Sequence, residues 1–340
     1  ARPGQPPGPH APVHAVLAQP RSLGLTTSLL LTAQEAGHPL TIHLGRHALR
    51  TYHKALDPLL ASPTVRLRPW LGHQRFPGIA ITDVPQVQGQ HKTLRLAVAT
   101  MGQTPADGHI QPYPFDARVY HSGQHHQLAR LRGNPRPLRV AFLGNVNPDL
   151  YAPAPFQQRF PLLNRLAYPE AVQHAFAARI WSPAGGLPPL EALPQKELLL
   201  GRWASPPHPS VPQGNAVPPH RWLDFLSRCG FFLAAPGVYY PYCFSLVEGL
   251  AVGTIPILEY AHLMHPPLED GVNCLAFQGE AGLVAAVERA LTMPEAEVAH
   301  LRAGAIAYYA QHLALPAYWQ RLLAAPAPEQ RLYQMIEGLS

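Results

Sequence analysis

The sequence predicts an α/β protein with parallel sheets, and three observations carry that prediction. First, two short apolar runs, 231–235 and 254–258, flank a segment in which Phe244, Val247, Leu250 and Ala251 recur at helical spacing up to Gly253. Strand, loop, helix and strand therefore follow one another, with glycine as the helix stop. Second, the same order opens the chain: a strand over 13–18, a loop over 19–24, a helix over 26–36 stopped by Gly37, and a strand over 39–44. Third, 340 residues at 47% hydrophobic exceed one ordinary core and can bury two. Together these describe two Rossmann-like domains.

The remaining elements follow in order. Residues 1–12 form a Pro/Gly-rich arm expected to be disordered. The first domain spans 13–131, with a helix over 47–60 and strands at 64–67, 78–82 and 94–99. A last short strand is expected over 119–121. Arg130, Arg132, Arg136 and Arg139, interrupted by Gly133, Pro135 and Pro137, read as a solvated stretch, with 132–137 as the linker. The second domain, 138–316, opens with a strand over 138–143 that ends at Gly144-Asn145. It continues with helices at 169–178 and 219–228, the central strand, loop, helix and strand, and two closing helices over 281–292 and 295–312. Residues 317–340 hold a short helix and a final helix, expected to cross back to the first domain.

Composition removes several classes of function. No uninterrupted apolar run reaches 18 residues, so no segment is expected to span a membrane, and a peripheral membrane contact is left open. No signal-peptide pattern of charged head and long apolar core is present. Cys229, Cys243 and Cys274, an odd number without Cys-x-x-Cys, point to reduced thiols in the cytoplasm and to no zinc site. The net charge of +6 comes with only 14% charged residues. It shows no basic face interleaved with aromatics, so a nucleic-acid partner is not expected.

The chemistry is expected where a parallel sheet presents it. The loop 236–242 and the start of the following helix fall at the carboxyl edge of the strands, where open sheets bind ligands. Unpaired N–H groups at the helix start, with their partial positive charge, suit a phosphate. Glu248 lies about a turn further in, on a helix otherwise apolar or small. The first loop lacks Gly-x-Gly-x-x-Gly, so no dinucleotide fingerprint is present. Asp83 and His121, both at expected strand ends, are the candidates for a general base. A metal at His121, His125 and His126 would need a further ligand and a rigid frame, and no metal ligand is assigned.

Pro236-Gly237, Ser245, Glu248-Gly-Leu-Ala-Val-Gly253 and Ile255-Pro256-Ile257 resemble the donor-binding half of GT-B glycosyltransferases, most closely the exostosin-like group. The resemblance covers about the last half of the chain. It implies the GT-B architecture, two Rossmann-like domains facing across a cleft, with a nucleoside diphosphate sugar held by the second domain and an acceptor by the first. It implies that Glu248 holds the ribose hydroxyls and that Pro236, Gly237, Tyr242 and Ser245 lie at the phosphates. A strand ending in Gly144-Asn145, followed by Arg159, resembles the family's arrangement in which an Arg opens the first helix and faces the diphosphate. The fork of Arg suits two phosphate oxygens; Arg165 reads as a solvated helix face.

The chain departs from the pattern twice. Tyr240 stands where many retaining members have a second Glu, and Ser245 where exostosin-like members often have Arg. The first departure argues against that retaining mechanism, and the second leaves phosphate charge to be met elsewhere. No Asp-x-Asp occurs, which favours a site that needs no metal over the metal-dependent GT-A class. The resemblance thus implies transfer of a sugar from a UDP-sugar or GDP-sugar to a glycan or other acceptor hydroxyl, as in surface polysaccharide synthesis, with no further cofactor. A nucleotide-sugar epimerase of the same fold and a degenerate binding or scaffold protein are the alternatives.

Overall fold

The computed structural model describes residues 8, 10–18, 22–45, 56–99, 105–183, 186–211 and 216–335. Most of the expected arm, residues 19–21 of the first loop, 47–55 of the helix expected over 47–60, and 336–340 of the expected C-terminal helices lie outside the described residues. In chain order the strands are β1 Val13–Leu17, β2 Leu40–Leu44, β3 Val65–Pro69, β4 Arg75–Phe76, β5 Ile79–Thr82, β6 Gln88–Gly89, β7 Lys92–Ala99 and β8 His109–Ile110. They continue with β9 Leu138–Asn145, β10 Ile180–Trp181, β11 Lys196–Trp203, β12 Cys229–Leu233, β13 Ile255–Leu258, β14 Leu275–Ala276 and β15 Glu329–Met335. The helices needed below are α1 Leu23–Glu35, α2 Trp222–Ser227, α3 Phe244–Val252, α4 Gly279–Thr292 and α5 Leu315–Ala324. The chain divides into two compact units, residues 1–117 with 312–340, and residues 118–311.

The first unit is a seven-stranded sheet in the order β3-β2-β1-β5-β7-β15-β8, parallel throughout. Its middle strands are buried on both faces, as parallel strands covered on both sides are. The order reverses between β1 and β5. The tail corrects the expected final helix: residues 329–335 are a strand, paired with β7 and β8. Gln330, Leu332 and Gln334 are buried while Glu329 and Arg331 are exposed, a period of two that a helix cannot present to one core. Arg95 donates to both oxygens of Glu329, at 2.7 and 2.6 Å, across β7 and β15. Lys92, itself buried, donates through Nζ to the carbonyls of Leu322, Leu323 and Ala325. It satisfies the last turn of α5, where a helix leaves acceptors unpaired and favours a cation.

A histidine pair lies on the same sheet. His14 on β1 and His43 on β2 approach within 3.1 Å between Nδ1 and Nε2, and both rings pack on Phe76. A hydrogen bond between two imidazoles needs one nitrogen without a proton. Burial lowers His43 to about 4, helped by His14, Arg68 and His73, and burial lowers His14 as well. The unfolded chain then binds more protons than the folded one between about pH 4 and pH 6.5. Stability is complete above that window and lost as pH falls through it. Urea melts should show the first unit weakening by roughly 2 kcal/mol across the window. His43→Gln should flatten that dependence; an unchanged slope would remove the pair as its cause.

The second unit is a six-stranded parallel sheet in the order β10-β11-β9-β12-β13-β14. From β9 the chain first builds one side, β10 and β11, then passes to β12, β13 and β14 on the other, so the order reverses between β9 and β12. Val140, Phe142, Leu198, Leu200, Phe231, Leu233, Ile255 and Ile257 form the core with Val172, Leu283 and Val287 from the covering helices. Residues 246–252 of α3 are all buried. Of the arginines read as solvated, Arg130 is exposed and donates to the side chain of Gln127, whereas Arg132, Arg136 and Arg139 are folded onto this unit. Arg132 donates to the carbonyl of Ala251, and Arg136 to those of Val252 and Cys229. Two cations thus satisfy the C-terminal end of α3, where the helix dipole is negative. No helix among the described residues is long and apolar enough to cross a membrane.

Candidate functional site

The reversal between β9 and β12 is where an open α/β sheet leaves a crevice at the carboxyl ends of its strands. Gly144 and Asn145 end β9 there. Beyond β12, residues 234–243 run into α3. Gly237 donates its N–H to the carbonyl of Pro241, and a Cβ on it would lie 2.7 Å from the carbonyl oxygen of Tyr240 and 3.0 Å from that of Tyr242. Only glycine fits that fold-back. The helix begins after Cys243, whose side chain makes no cap, so the first-turn N–H groups of α3 face the end of the sheet without a side-chain acceptor. Ser245 sits half-buried in that first turn, and Phe244 and Tyr239 are exposed beside it.

Arg165 occupies this point, which corrects its reading as a solvated helix face. Its Nε donates to the carbonyl of Pro236 at 2.9 Å, and one terminal nitrogen to that of Ala235 at 3.1 Å. The guanidinium stacks over the ring of Tyr151, 4.9 Å from its centroid. A Cβ at Gly144 would come within 3.3 Å of the other terminal nitrogen, so the glycine at the end of β9 leaves room for the cation. The side chain of Asn164 accepts from the N–H groups of Leu166 and Ala167 and starts the helix Ala167–Phe176, which sets Arg165 at its entrance. The arrangement expected of Arg159, an arginine at the opening of a helix beside the sheet end, is met by Arg165. An Asn cap before an apolar-periodic run was the signal that could have found it.

Behind Arg165 lie two tyrosines and a cysteine, with the Glu259 carboxylate close to Tyr168. Tyr168, Tyr260 and Cys243 are buried, and burial pushes all three up; Cys243 Sγ and the Tyr260 hydroxyl lie 3.3 Å apart. The hydroxyl of Tyr168 has no partner among the described residues. Glu259 is occupied elsewhere, accepting from Leu163 N at 2.6 Å and from Gly279 N at 2.7 Å, the second as the acceptor at the start of α4. Arg165 makes no ion pair among the described residues. A half-buried cation without a carboxylate, beside a helix N-terminus, is an arrangement that accepts an anion.

Other predicted residues have partners of their own. Glu248, buried, accepts from the indole N–H of Trp222 at 2.7 Å. Trp222 opens α2 and stacks on Phe225, a partner that sequence spacing did not reveal. Tyr242 is buried and donates its hydroxyl to the carbonyl of Leu263, so its side chain anchors the turn after β13. Asn145 accepts from the N–H groups of Asn147 and Ser205 and donates to the carbonyl of Ser205, which ties the end of β9 to the loop after β11. Arg159 follows a 3-10 turn, Pro155–Gln158, instead of opening a helix; it is exposed, with its guanidinium 5.7 Å from the ring of Phe160.

The two candidate bases fall in different units. Asp83 directly follows β5 and accepts from the N–H of Ala18 at 2.8 Å, so it bridges the two strands between which the first sheet reverses. Thr82 beside it donates to the carbonyl of Val16 and accepts from Val84 N. His121 does not end a strand. It closes the short helix Ala117–His121, is exposed, and belongs to the second unit. Val119 alone is buried there, and Ser122 donates to its carbonyl; one apolar anchor and a turn-forming serine favour a helical turn over a strand.

No family model matches the sequence. No curated protein matches it. Solved structures do: this chain is similar to a crystal structure of a glycosyltransferase from Rickettsia africae, at a TM-score of 0.52 and 8% identity over 92% of this chain and 99% of that one. It is also similar to Anabaena Alr3699/HepE in complex with UDP, at a TM-score of 0.50 and 9% identity over 92% of this chain and 98% of that one. At such identities the likeness is one of fold. The chain has the GT-B fold, with a parallel Rossmann-like sheet in each unit.

Proposed function

We propose that the protein is a glycosyltransferase that moves a sugar from a UDP-sugar or GDP-sugar to an acceptor hydroxyl, as in glycan or surface polysaccharide synthesis in the cytoplasm, and that it belongs with the exostosin-like GT-B enzymes. The observation that carries this reading is Arg165, a guanidinium without an ion pair among the described residues, set between the ends of β9 and β12 beside the start of α3. Two phosphates bring about two negative charges, and a helix terminus supplies roughly half a positive one. A full cation meets the difference and takes the place of the Arg that Ser245 lacks. Arg159, exposed nearby in sequence, is the second candidate for the same charge. The similar Anabaena protein is described in complex with UDP, which supports a nucleotide as the ligand.

In this reading the diphosphate rests on Arg165, the N–H groups of α3 with Ser245, and the backbone around Gly144, Pro236 and Gly237. Glu248, oriented by Trp222, accepts from the ribose hydroxyls. The acceptor is held by the first unit, with Asp83 as the base that takes its proton, or His121 of the second unit. Attack of the acceptor oxygen on the anomeric carbon releases the nucleoside diphosphate, whose charge the cation and helix start stabilise. Glu248→Ala should weaken UDP or GDP by about 1.5–3 kcal/mol, the size of hydrogen bonds to a charged group. Unchanged affinity by calorimetry in a folded variant would remove Glu248 from the site. Turnover of a UDP-sugar should persist in excess EDTA, since a cationic side chain does the work of a metal. Loss in EDTA with rescue by Mg²⁺ would show a metal-dependent site.

A further inference from the structure

We infer that the strand β3 and the turn after it form a docking surface for an anionic lipid bilayer. From Pro58 to Thr82 the sequence contains no Asp or Glu, yet it carries Arg66, Arg68 and Arg75. β3 is the edge of the first unit's sheet, and residues 66–69 are exposed on both faces of the strand. None of the three arginines makes an ion pair among the described residues. Exposed among them are Leu67, at 42%, and Leu71, at 77%.

The turn is held, which keeps Leu71 outward. Trp70 donates its backbone N–H to the carbonyl of Leu44 and its indole N–H to that of His73, and its ring packs against the cluster of Val16, Phe76, Ala80, Val84 and Val87. Gly72 turns the chain at φ +87, a conformation other residues rarely adopt. The tip is thus fixed from beneath while its leucine meets water. Arg66, Arg68 and Pro69 would by themselves serve as protection of an edge strand against pairing with another chain. Edge protection does not call for an aliphatic side chain at the tip; a bilayer does. Basic residues meet anionic headgroups, and apolar side chains enter the boundary below them. A nucleic acid would use the arginines but gain little from Leu71, since its bases stack on aromatic faces.

The test is co-sedimentation of the full chain with phosphatidylcholine vesicles, with and without phosphatidylglycerol. Binding is expected only to the anionic vesicles and is expected to weaken with salt. Arg66→Gln and Arg68→Gln should each lower partitioning about fivefold, and Leu71→Ser by about tenfold at every salt concentration, with thermal melts unchanged. Equal binding to neutral vesicles, no binding to either kind, or partitioning that ignores Leu71→Ser would overturn the inference. So would retention of a single-stranded oligonucleotide that depends on the arginines and not on Leu71, which would assign the surface to a polyanion. Sugar transfer is not part of the readout, so the result is independent of the proposed activity.

Discussion

Deleting residues 326–340 is expected to abolish the fold of the first unit while leaving the second intact. β15 lies inside the first sheet, between β7 and β8, with every residue from Glu329 to Met335 in register with Thr93 to Ala99. Its loss strips β7 of a ladder of backbone bonds, each worth about 1 kcal/mol net, and removes the buried Leu332 and Met335, each contributing about 1.5–3 kcal/mol. Gln334 goes too, leaving Thr26 and Gln111 without the amide that donates to both. The sum rivals the roughly 5–15 kcal/mol that holds a domain. Circular dichroism should show a single remaining transition, and limited proteolysis should spare residues of the second unit. Leu332→Asp, which buries an unpaired charge in the same strand, should cost several kcal/mol and act in the same direction. A truncated chain that melts as the intact one does would show that the tail is not a working part of the sheet.

Arg165→Ala is expected to cost about 1.5–3 kcal/mol or more in UDP or GDP affinity and almost nothing for the bare nucleoside. The distinction matters because Arg165 also holds the carbonyls of Ala235 and Pro236. A variant that merely loosened the loop would lose nucleoside and diphosphate alike. Arg165→Lys keeps the charge without the planar fork and should fall between wild type and Arg165→Ala. Arg159→Ala serves as the comparison: exposed and stacked near Phe160, it should show the smaller loss. If calorimetry ranked Arg159→Ala as the more damaging change with Arg165→Ala close to wild type, the diphosphate would lie nearer the turn at 155–159.

Most of the secondary structure of the second unit was legible because its signals are local. Apolar runs bounded by Pro236-Gly237 and by Gly253 mark β12, α3 and β13, and the Gly that ends β9 marks the sheet edge. The misreadings have a common cause. Residues 329–335 carry two buried glutamines where an apolar alternation would be sought, and those glutamines are polar inside only because Thr26, Gln111 and the carbonyl of Leu322 receive them. Arg132 and Arg136 look solvated until the C-terminal carbonyls of α3, more than a hundred residues away, are seen to accept from them. The site divides in the same way. The sequence by itself determined that a helix would start at the carboxyl edge of a parallel sheet, with Glu248 one turn in, because periodicity and turn chemistry are properties of neighbouring residues. Tertiary structure alone decided which arginine stands there and what holds Glu248. A cation's role depends on whether a carboxylate, a carbonyl or nothing lies within its reach, and for Arg165, 70 residues from Ala235, that is decided only when β9 and β12 come to lie side by side.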